Sequence, residues 1–128
     1  TLLPGVSFHL LKRPYPPARE LIDYGVPVAL STGFSAHRSP TCSMPAIIAL
    51  ACHEMHMTPA EALTAATINA ACALGMAHRV GSLQSGKQAD LLMLNISDYR
   101  EIPYHFGMNL VAMVMKRGQV LYPRLEAL

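Results

Sequence analysis

Two short groups of polar residues have types and spacings that could do chemistry. The first is His53-Glu54-Met55-His56, an H-E-x-H pattern. Histidines three residues apart on a helix lie about 60° apart around its axis, close enough to share a metal ion. The zinc-protease helix spaces its histidines four apart, however, and the sequence offers no identifiable third ligand. The pattern therefore favours two surface histidines near a helix end, where positive charge is stabilised, over a metal site.

The second group is His37 beside Arg38. This pair could bind an anionic group through charge-assisted hydrogen bonds, and the alternative is an ordinary solvated loop. The sequence contains no G-x-S-x-G elbow, no phosphate-binding glycine-rich loop and no convincing cysteine and histidine pair. The residues alone therefore identify no catalytic nucleophile or base.

Composition predicts a folded domain with apolar surface to cover. The 128 residues are 52% hydrophobic, which is enough for a core, and only 14% charged, which is lean for a small domain. Some of the apolar surface is expected to meet another chain. The formal charge of +2 is spread along the sequence without a basic run or an aromatic stacking platform, so nucleic-acid binding is not expected.

Cysteine usage and hydropathy favour a cytoplasmic location. Cys42, Cys52 and Cys72 form no C-x-x-C pair, and the sequence predicts buried thiols in a reducing compartment. The longest uncharged stretch, residues 62–77, is too short and too polar to span a bilayer. Thr1 is followed by no signal-type segment, and a start at Thr1 rather than Met hints at a fragment.

The first part of the chain reads as an α/β unit. Leu2 and Leu3 are predicted to end a buried strand that Pro4 and Gly5 punctuate, with a loop following through residue 14. Pro16 and Pro17 should start a helix that residues 18–24 continue and Gly25 ends, and residues 26–30 form a short apolar strand. Helix followed by strand, both apolar, is typical of α/β folds. Residues 31–41 are a loop by composition.

Two helices should follow this loop. Ser43 is the predicted N-cap of the first helix. The buried face of that helix is predicted to comprise Ile47, Ile48, Ala51 and Met55. Thr58, Pro59 and Glu61 predict a capping box at the start of the second, which Gly75 should end. The predicted packing stripe of this second helix comprises Leu63, Ala66, Thr67, Ala70 and Leu74.

The remainder of the chain predicts β structure. Residues 89–94 form an apolar run interpreted as a buried strand, with Asp90 as a buried acid satisfied by backbone or by Lys87. Residues 109–116 and 119–122 flank Arg117-Gly118 and predict a hairpin. His105 is given a structural role. The methionines, including Met108, Met113 and Met115, are predicted core fillers.

Three stretches together resemble imidazolonepropionase, a family of the amidohydrolase superfamily. They are V-A-L-S-T-G-F-S at residues 28–35, A-A-T-I-N-A-A at residues 65–71 with G-S-L at 81–83, and D-Y-R-E-I-P-Y-H-F-G at residues 98–107. The second recurs across the superfamily, and the third narrows the match to imidazolonepropionase. The resemblance covers nearly the whole chain.

The resemblance implies a fold class and a domain division. It is an α/β chain, a C-terminal fragment of an amidohydrolase (β/α)₈ barrel plus strands of the small β-sandwich domain. Residues 1–80 would be the last strands and helices of the barrel-like unit, and residues 81–128 the β-sandwich-like strands. Leu2 and Leu3 would lie near the end of the seventh barrel strand, and residues 26–31 would form the eighth.

The resemblance also implies where catalytic groups should be. Such enzymes hold zinc or iron through histidines of earlier strands, an H-x-H pair among them, and through the carboxylate of an S-T-D motif. The histidine strands have no counterpart here, and the motif reads Ser31-Thr32-Gly33. We therefore expect no catalytic residue, no metal ligand and no cofactor in this chain alone.

Substrate contacts would come from the loop after this motif. Positions matching Ser35, His37 and Arg38 contact substrate in relatives, whose loop reads close to F-N-P-G-S after the acid. Here Phe34 is retained, while the following residues differ and add a cation. The change predicts altered specificity at this loop.

Two functions remain open on the sequence. The first is a fragment or diverged relative of imidazolonepropionase, an enzyme of histidine degradation that hydrolyses a cyclic amide C–N bond with a metal; the fragment would be inactive alone. The alternative is a non-catalytic binding or assembly module derived from an amidohydrolase. Unpaired barrel-strand edges predict self-association in either case.

Overall fold

The computed structural model describes residues 1–122, which contain six helices and one three-stranded sheet. The helices are α1 (Pro4–His9), α2 (Ala18–Asp23), α3 (Met44–Met55), α4 (Pro59–Ala66), α5 (Ile68–Ala73) and α6 (Glu101–Tyr104). The strands are β1 (Leu91–Leu94), β2 (Val111–Lys116) and β3 (Gln119–Tyr122). No helix of residues 1–122 has the length and apolar character needed to cross a membrane.

The chain starts on a parallel β-bridge between Leu2 and Leu30. The Leu2 N–H donates to the Ala29 carbonyl at 2.8 Å, and the Ser31 N–H donates to the Leu2 carbonyl at 3.2 Å. The loop predicted directly after Leu3 is wrong, because Pro4 and Gly5 begin helix α1. Proline lacks an N–H that the first helical turn would leave unpaired in any case.

Residues 26–30 form much less strand than predicted, since among them only Leu30 takes a β-bridge. Some of their other backbone groups bond to the helices beside them. The Leu30 N–H donates to the Ala65 carbonyl of α4 at 3.0 Å, and the Asn69 amide of α5 donates to the Val28 carbonyl at 2.8 Å. Helices α4 and α5 therefore occupy one edge of this segment.

Helix α3 forms the centre of the core, as predicted. Its N-cap is Ser43, whose hydroxyl accepts the Ala46 N–H at 3.3 Å. The four residues predicted for its inner face are all buried, namely Ile47, Ile48, Ala51 and Met55. The core cluster also takes residues from α2, α4 and α6, including Ala18, Ala62, Ala65 and Ile102. Apolar burial around α3 thus fixes the helices relative to one another.

The predicted capping box at the start of α4 is confirmed. The Thr58 hydroxyl accepts the Glu61 N–H at 3.3 Å, while the Glu61 carboxylate accepts the Thr58 N–H at 2.8 Å. The helix does not continue to Gly75 as one element, since it breaks at Thr67, with φ −118° and ψ −93°. There the Thr67 hydroxyl donates to the Leu63 carbonyl at 2.6 Å.

The predicted packing stripe along this region is wrong. Leu74 is 74% exposed, Thr67 is exposed, and the buried residues are Ala62, Ala65 and Ala71. The stripe assumed one continuous helical phase. Because the chain turns at Thr67, the inward face of α5 starts again out of register with that of α4.

The strands form one antiparallel sheet in the order β1-β2-β3. The predicted hairpin is confirmed, with Lys116 paired to Gln119 across Arg117-Gly118. Both loop residues have positive φ, +51° and +78°, which suits the right-handed twist of a two-residue hairpin. The prediction that β1 is buried is wrong, since Leu92 and Met93 are 59% and 55% exposed on an edge strand.

Asp90 is held at the start of the sheet by partners other than Lys87. Its carboxylate accepts the Arg117 N–H at 2.8 Å and the Gln88 amide at 2.7 Å, and it pairs with Lys116. The Lys116 ammonium, with these hydrogen bonds, lowers the pKa of Asp90 to about 2. Lys87 instead donates to the Ser82 hydroxyl at 2.6 Å. The predicted backbone partner is therefore confirmed and Lys87 is wrong, and Asp90 is half-buried rather than buried.

Burial of the sulfur-containing side chains differs from prediction. Cys42 and Cys72 are exposed and Cys52 is half-buried, so the prediction of three buried thiols is wrong. Burial raises the pKa of the Cys52 thiol. Among the methionines predicted as core fillers, Met108 is 59% exposed, while Met113 and Met115 are half-buried in β2.

Candidate functional site

The loop of residues 31–41 is folded back on itself directly after Leu30. The Ser31 hydroxyl accepts the Gly33 N–H at 3.2 Å, and the buried Ser39 hydroxyl donates to the Thr32 carbonyl at 2.7 Å. Ser35 and Ser39 exchange backbone hydrogen bonds at 3.1 and 3.0 Å, forming an isolated antiparallel bridge. The loop is thus a closed turn with short polar links at its base.

The predicted substrate-contact residues lie along this closed turn. Ser35 is half-buried at the bridge, whereas His37 and Arg38 are exposed beyond it. The Arg38 N–H donates to the Ser35 carbonyl at 3.2 Å, which tightens the turn. The turn brings the three residues together on one short segment. Their contact with a substrate stays a prediction.

Gly33 stands where the resemblance places the metal-binding acid, and it has no side-chain donor. Its φ of +56° lies in the left-handed region that favours glycine. Across residues 1–122, no cluster of three or more His, Cys, Asp or Glu side chains is arranged to hold a metal ion. Residues 1–122 therefore supply no complete set of side-chain donors for the zinc or iron that the resemblance implies.

The H-E-x-H histidines lie at the end of α3. His53 and His56 are both exposed, and His56 is the C-cap, with a left-handed φ of 54°. Glu54 pairs with Arg13 at 3.4 Å, on the surface. The interpretation as surface histidines near a helix end is confirmed.

An apolar groove of about 580 Å³ lies between α1, α3 and the loop. Its walls include Phe8 and His9 of α1, Leu50 and His53 of α3, and Phe106. Sequence reasoning missed this groove because it predicted no helix at residues 4–9. Pro4 at the start of a possible helix, followed by Phe8 one turn later, is the signal that would have indicated it.

A second feature that the sequence did not predict is an ion pair between α2 and the start of α4. Arg19 of α2 bonds both carboxylate oxygens of Glu61, at 2.9 and 3.0 Å, and also reaches Asp23 at 2.9 Å. The Arg19 guanidinium, together with the Thr58 N–H and hydroxyl, holds the pKa of Glu61 at about 2. The same carboxylate completes the capping box, so Arg19 ties α2 to the start of α4.

Comparison with known proteins identifies the family. The model of the amidohydrolase family matches residues 7–121. The chain is 52% identical over 120 residues to an imidazolonepropionase of Geobacillus kaustophilus and 48% identical over 120 residues to one of Parabacteroides distasonis. Each match covers 94% of this chain but only 28% and 29% of those relatives. The resemblance read from the three motif stretches is confirmed, and the chain spans less than a third of the length of these curated relatives.

Solved structures share the fold. An adenosine deaminase from Xanthomonas campestris, solved with bound zinc, has a TM-score of 0.78 at 25% identity over 92% of this chain and 30% of its own. The E. coli guanine deaminase has a TM-score of 0.73 at 16% identity over 94% of this chain and 32% of its own. With the family model covering most of the chain, the sequence and the fold agree: this chain belongs to the amidohydrolase family.

Proposed function

We propose that the chain is the C-terminal segment of an imidazolonepropionase-type amidohydrolase. Residues 1–80 would form the last strands and helices of a (β/α)₈ barrel, and residues 81–128 would contribute strands to a small β-sandwich. The parallel bridge between Leu2 and Leu30 supports this arrangement, since neighbouring barrel strands run parallel. The two helices α3 and α4 after Leu30, and the antiparallel sheet that follows, agree with it.

A complete molecule of this kind would hydrolyse a cyclic amide C–N bond in histidine degradation, using zinc or iron. The 128 residues alone are proposed to be inactive. The observation that carries this proposal is Gly33, which stands in S-T-G where the family's motif has its acid. A glycine supplies no side-chain oxygen for a metal and no carboxylate to move a proton.

The test is turnover of imidazolone propionate by the purified chain, with zinc and then with iron supplied. We expect a rate equal to the protein-free background in both cases. An imidazolonepropionase of the matched family, assayed in parallel, controls for substrate quality. Metal-dependent turnover by the chain alone would refute the proposal.

Within this proposal, Ser35, His37 and Arg38 contact the substrate. The exposed Arg38 guanidinium suits a carboxylate tail, because charge-assisted hydrogen bonds are stronger than neutral ones. Titration of imidazolone propionate followed by NMR should shift signals of residues 34–39, and Arg38→Ala should abolish those shifts. Arg79→Ala, which removes a cation bonded to Gln88 outside the loop, is the matched control and should leave them unchanged.

The chain is also proposed to self-associate. Large apolar side chains are strongly exposed, among them Leu11 and Tyr24 at 86% and Leu83 at 83%, and β1 is an edge strand. Exposed apolar surface and unpaired edges favour pairing with another chain. Analytical ultracentrifugation should find a dimer or larger species at micromolar concentration, whereas a well-folded monomer at every concentration would contradict self-association.

The alternative function is a non-catalytic binding or assembly module derived from an amidohydrolase. The same exposed apolar side chains favour it, together with the absence from residues 1–122 of a metal-binding cluster. Stoichiometric metal binding with turnover would exclude this alternative.

We propose a cytoplasmic location for either function, because the three cysteines are all free thiols. We also propose that the chain has no nucleic-acid or membrane partner.

A further inference from the structure

The backbone around Gly33 is held on both sides by buried or half-buried hydroxyls. The Gly33 N–H donates to the Ser31 hydroxyl at 3.2 Å, and the Ser39 hydroxyl donates to the Thr32 carbonyl at 2.7 Å. Ser39 is completely buried, with 0% exposure. The left-handed φ of +56° at Gly33 is therefore fixed by short polar links rather than left open to rotation.

The side of Gly33 that would carry a Cβ faces apolar groups. A Cβ atom there would lie 3.2 and 3.4 Å from the two Cδ atoms of Leu3 and 3.4 Å from Cγ2 of Val6. These residues belong to the N-terminal bridge segment and to α1. A carboxylate attached at this point would start in an apolar contact, where an ionised group is costly unless it is paired.

Helix α1 cannot retreat easily from this contact, because it is packed onto the same loop at its own start. A Cβ atom at Gly5 would lie 2.6 Å from the Ser39 hydroxyl oxygen and 2.9 Å from Cδ1 of Ile47. Ser39 is the residue whose hydroxyl holds Thr32. The start of α1, the buried serine and the glycine turn therefore form one closely packed unit.

We infer that the Thr32–Gly33 turn is an apolar joint between the end of residues 26–30 and α1, and that a carboxylate restored at position 33 would not create a metal ligand. The inference rests on the proposed match of Ser31-Thr32-Gly33 to the family's S-T-D. Beyond the loss of a ligand, the space beside position 33 is occupied by the apolar side chains of Leu3 and Val6. The Thr32–Gly33 turn thus has a structural role that requires no metal ion.

A double-mutant cycle tests the joint directly. Gly33→Ala should lower the urea midpoint of unfolding, and Leu3→Ala should reduce that loss by removing the contacting methyl groups. Gly25→Ala is the matched control, because Gly25 also has a positive φ, +75°, but nothing lies within 4 Å of its Cβ position. We expect Gly33→Ala to shift the midpoint further than Gly25→Ala, and Leu3→Ala to rescue only the former. Equal shifts with no rescue would overturn the inference.

A second measurement compares Gly33→Asp with Gly33→Asn, which are nearly equal in size and both tolerate left-handed φ. We expect titrated zinc to raise the melting temperature of both variants equally or not at all. Zinc protection specific to Gly33→Asp would overturn the inference. Turnover of imidazolone propionate by the unaltered chain would instead refute the proposed function and leave the coupling of Leu3 to position 33 untouched, so the two failures are distinguishable.

Discussion

The start of α4 and the Thr32–Gly33 turn are both held by hydroxyl groups, but their partners differ in sequence distance. At α4, Thr58 and Glu61 satisfy each other three residues apart. At the turn, Ser39 reaches back seven residues to Thr32, and the space beside Gly33 is closed by α1. The capping hydrogen bonds of the first region are local, with an added ion pair from Arg19 of α2, whereas the second region depends on the packing of α1. Substitutions at the two regions should therefore destabilise different parts of the chain.

The largest loss of stability is expected from truncating Ile47, which packs against both α4 and the start of α1. Ile47 has 0% exposure, belongs to the core cluster with Ala62 and Ala65 of α4, and contacts the start of α1 near Gly5. Ile47→Ala should cost about 2 to 5 kcal/mol of unfolding free energy, measured by urea denaturation, through lost burial and a residual cavity. Leu83→Ala, at a position 83% exposed, is the control and should cost less than about 0.5 kcal/mol.

Overpacking should affect the turn and not the α4 cap. Gly5→Ala forces a Cβ to within 2.6 Å of the Ser39 hydroxyl and should destabilise the chain by about 1 to 3 kcal/mol. Faster hydrogen exchange should be confined to residues 31–41 and α1, with the Glu61 N–H unaffected. Ser7→Ala in the same helix is the control. Equal loss of protection in both regions would show that the α4 cap also depends on the packing of α1.

Acid titration should separate the α4 cap from the turn. The pKa of Glu61 is lowered to about 2 from 4.5, chiefly by Arg19, so its stabilising contribution is complete above the unfolded-state pKa and is lost as the pH falls toward 2. Glu61→Gln should therefore destabilise the chain at neutral pH and flatten the fall in stability between about pH 4.5 and 2. The slope due to other carboxylates with lowered pKa, such as Asp90 and Asp98, remains.

The control for this titration is Glu20→Gln, which makes the same charge change on α2. As a substitution on the surface it should change the stability at neutral pH by less than about 0.5 kcal/mol. If Glu61→Gln left the acid slope of the unaltered chain unchanged, the ion pair with Arg19 would not contribute to stability in solution.

A smaller effect is expected at the hydrogen bond between α5 and the segment that precedes the turn. The Asn69 amide donates to the Val28 carbonyl at 2.8 Å, just before the turn. Asn69→Ala should cost about 1 kcal/mol and raise hydrogen exchange at residues 28–33. Thr64→Ala, which removes an exposed hydroxyl bond to Ala60 within α4, is the matched control. No change at residues 28–33 would indicate that the carbonyl finds water instead.

Prediction from sequence succeeded where the determining interactions are local. The Thr58 capping box, the Ser43 N-cap and the Arg117-Gly118 hairpin each depend on residues within a few positions of one another. The inner face of α3 follows from a single helical period. These features are encoded in short segments, so the pattern alone was sufficient.

The errors arose where distant contacts decide the conformation. Helix α1 was missed because Pro4 and Gly5 also suit a loop, and only packing against Ser39 and Ile47 selects the helix. The break at Thr67 changed which alanines are buried, and no breaker residue marked it. The Arg19–Glu61 pair joins residues 42 positions apart. In the candidate site, the resemblance matches Gly33 to the position of the family's acid, which stays a prediction, and the sequence did not predict that Leu3 and Val6 lie beside it.

We expect this chain to provide no metal ligand around Gly33. Zinc-soaked crystals of the chain, measured at the zinc absorption edge, would show whether an ion binds there, because anomalous scattering locates it. We expect no anomalous peak within ligand distance, about 2 to 2.3 Å, of donor atoms around Gly33. A zinc ion there, coordinated only by atoms of this chain, would contradict this expectation.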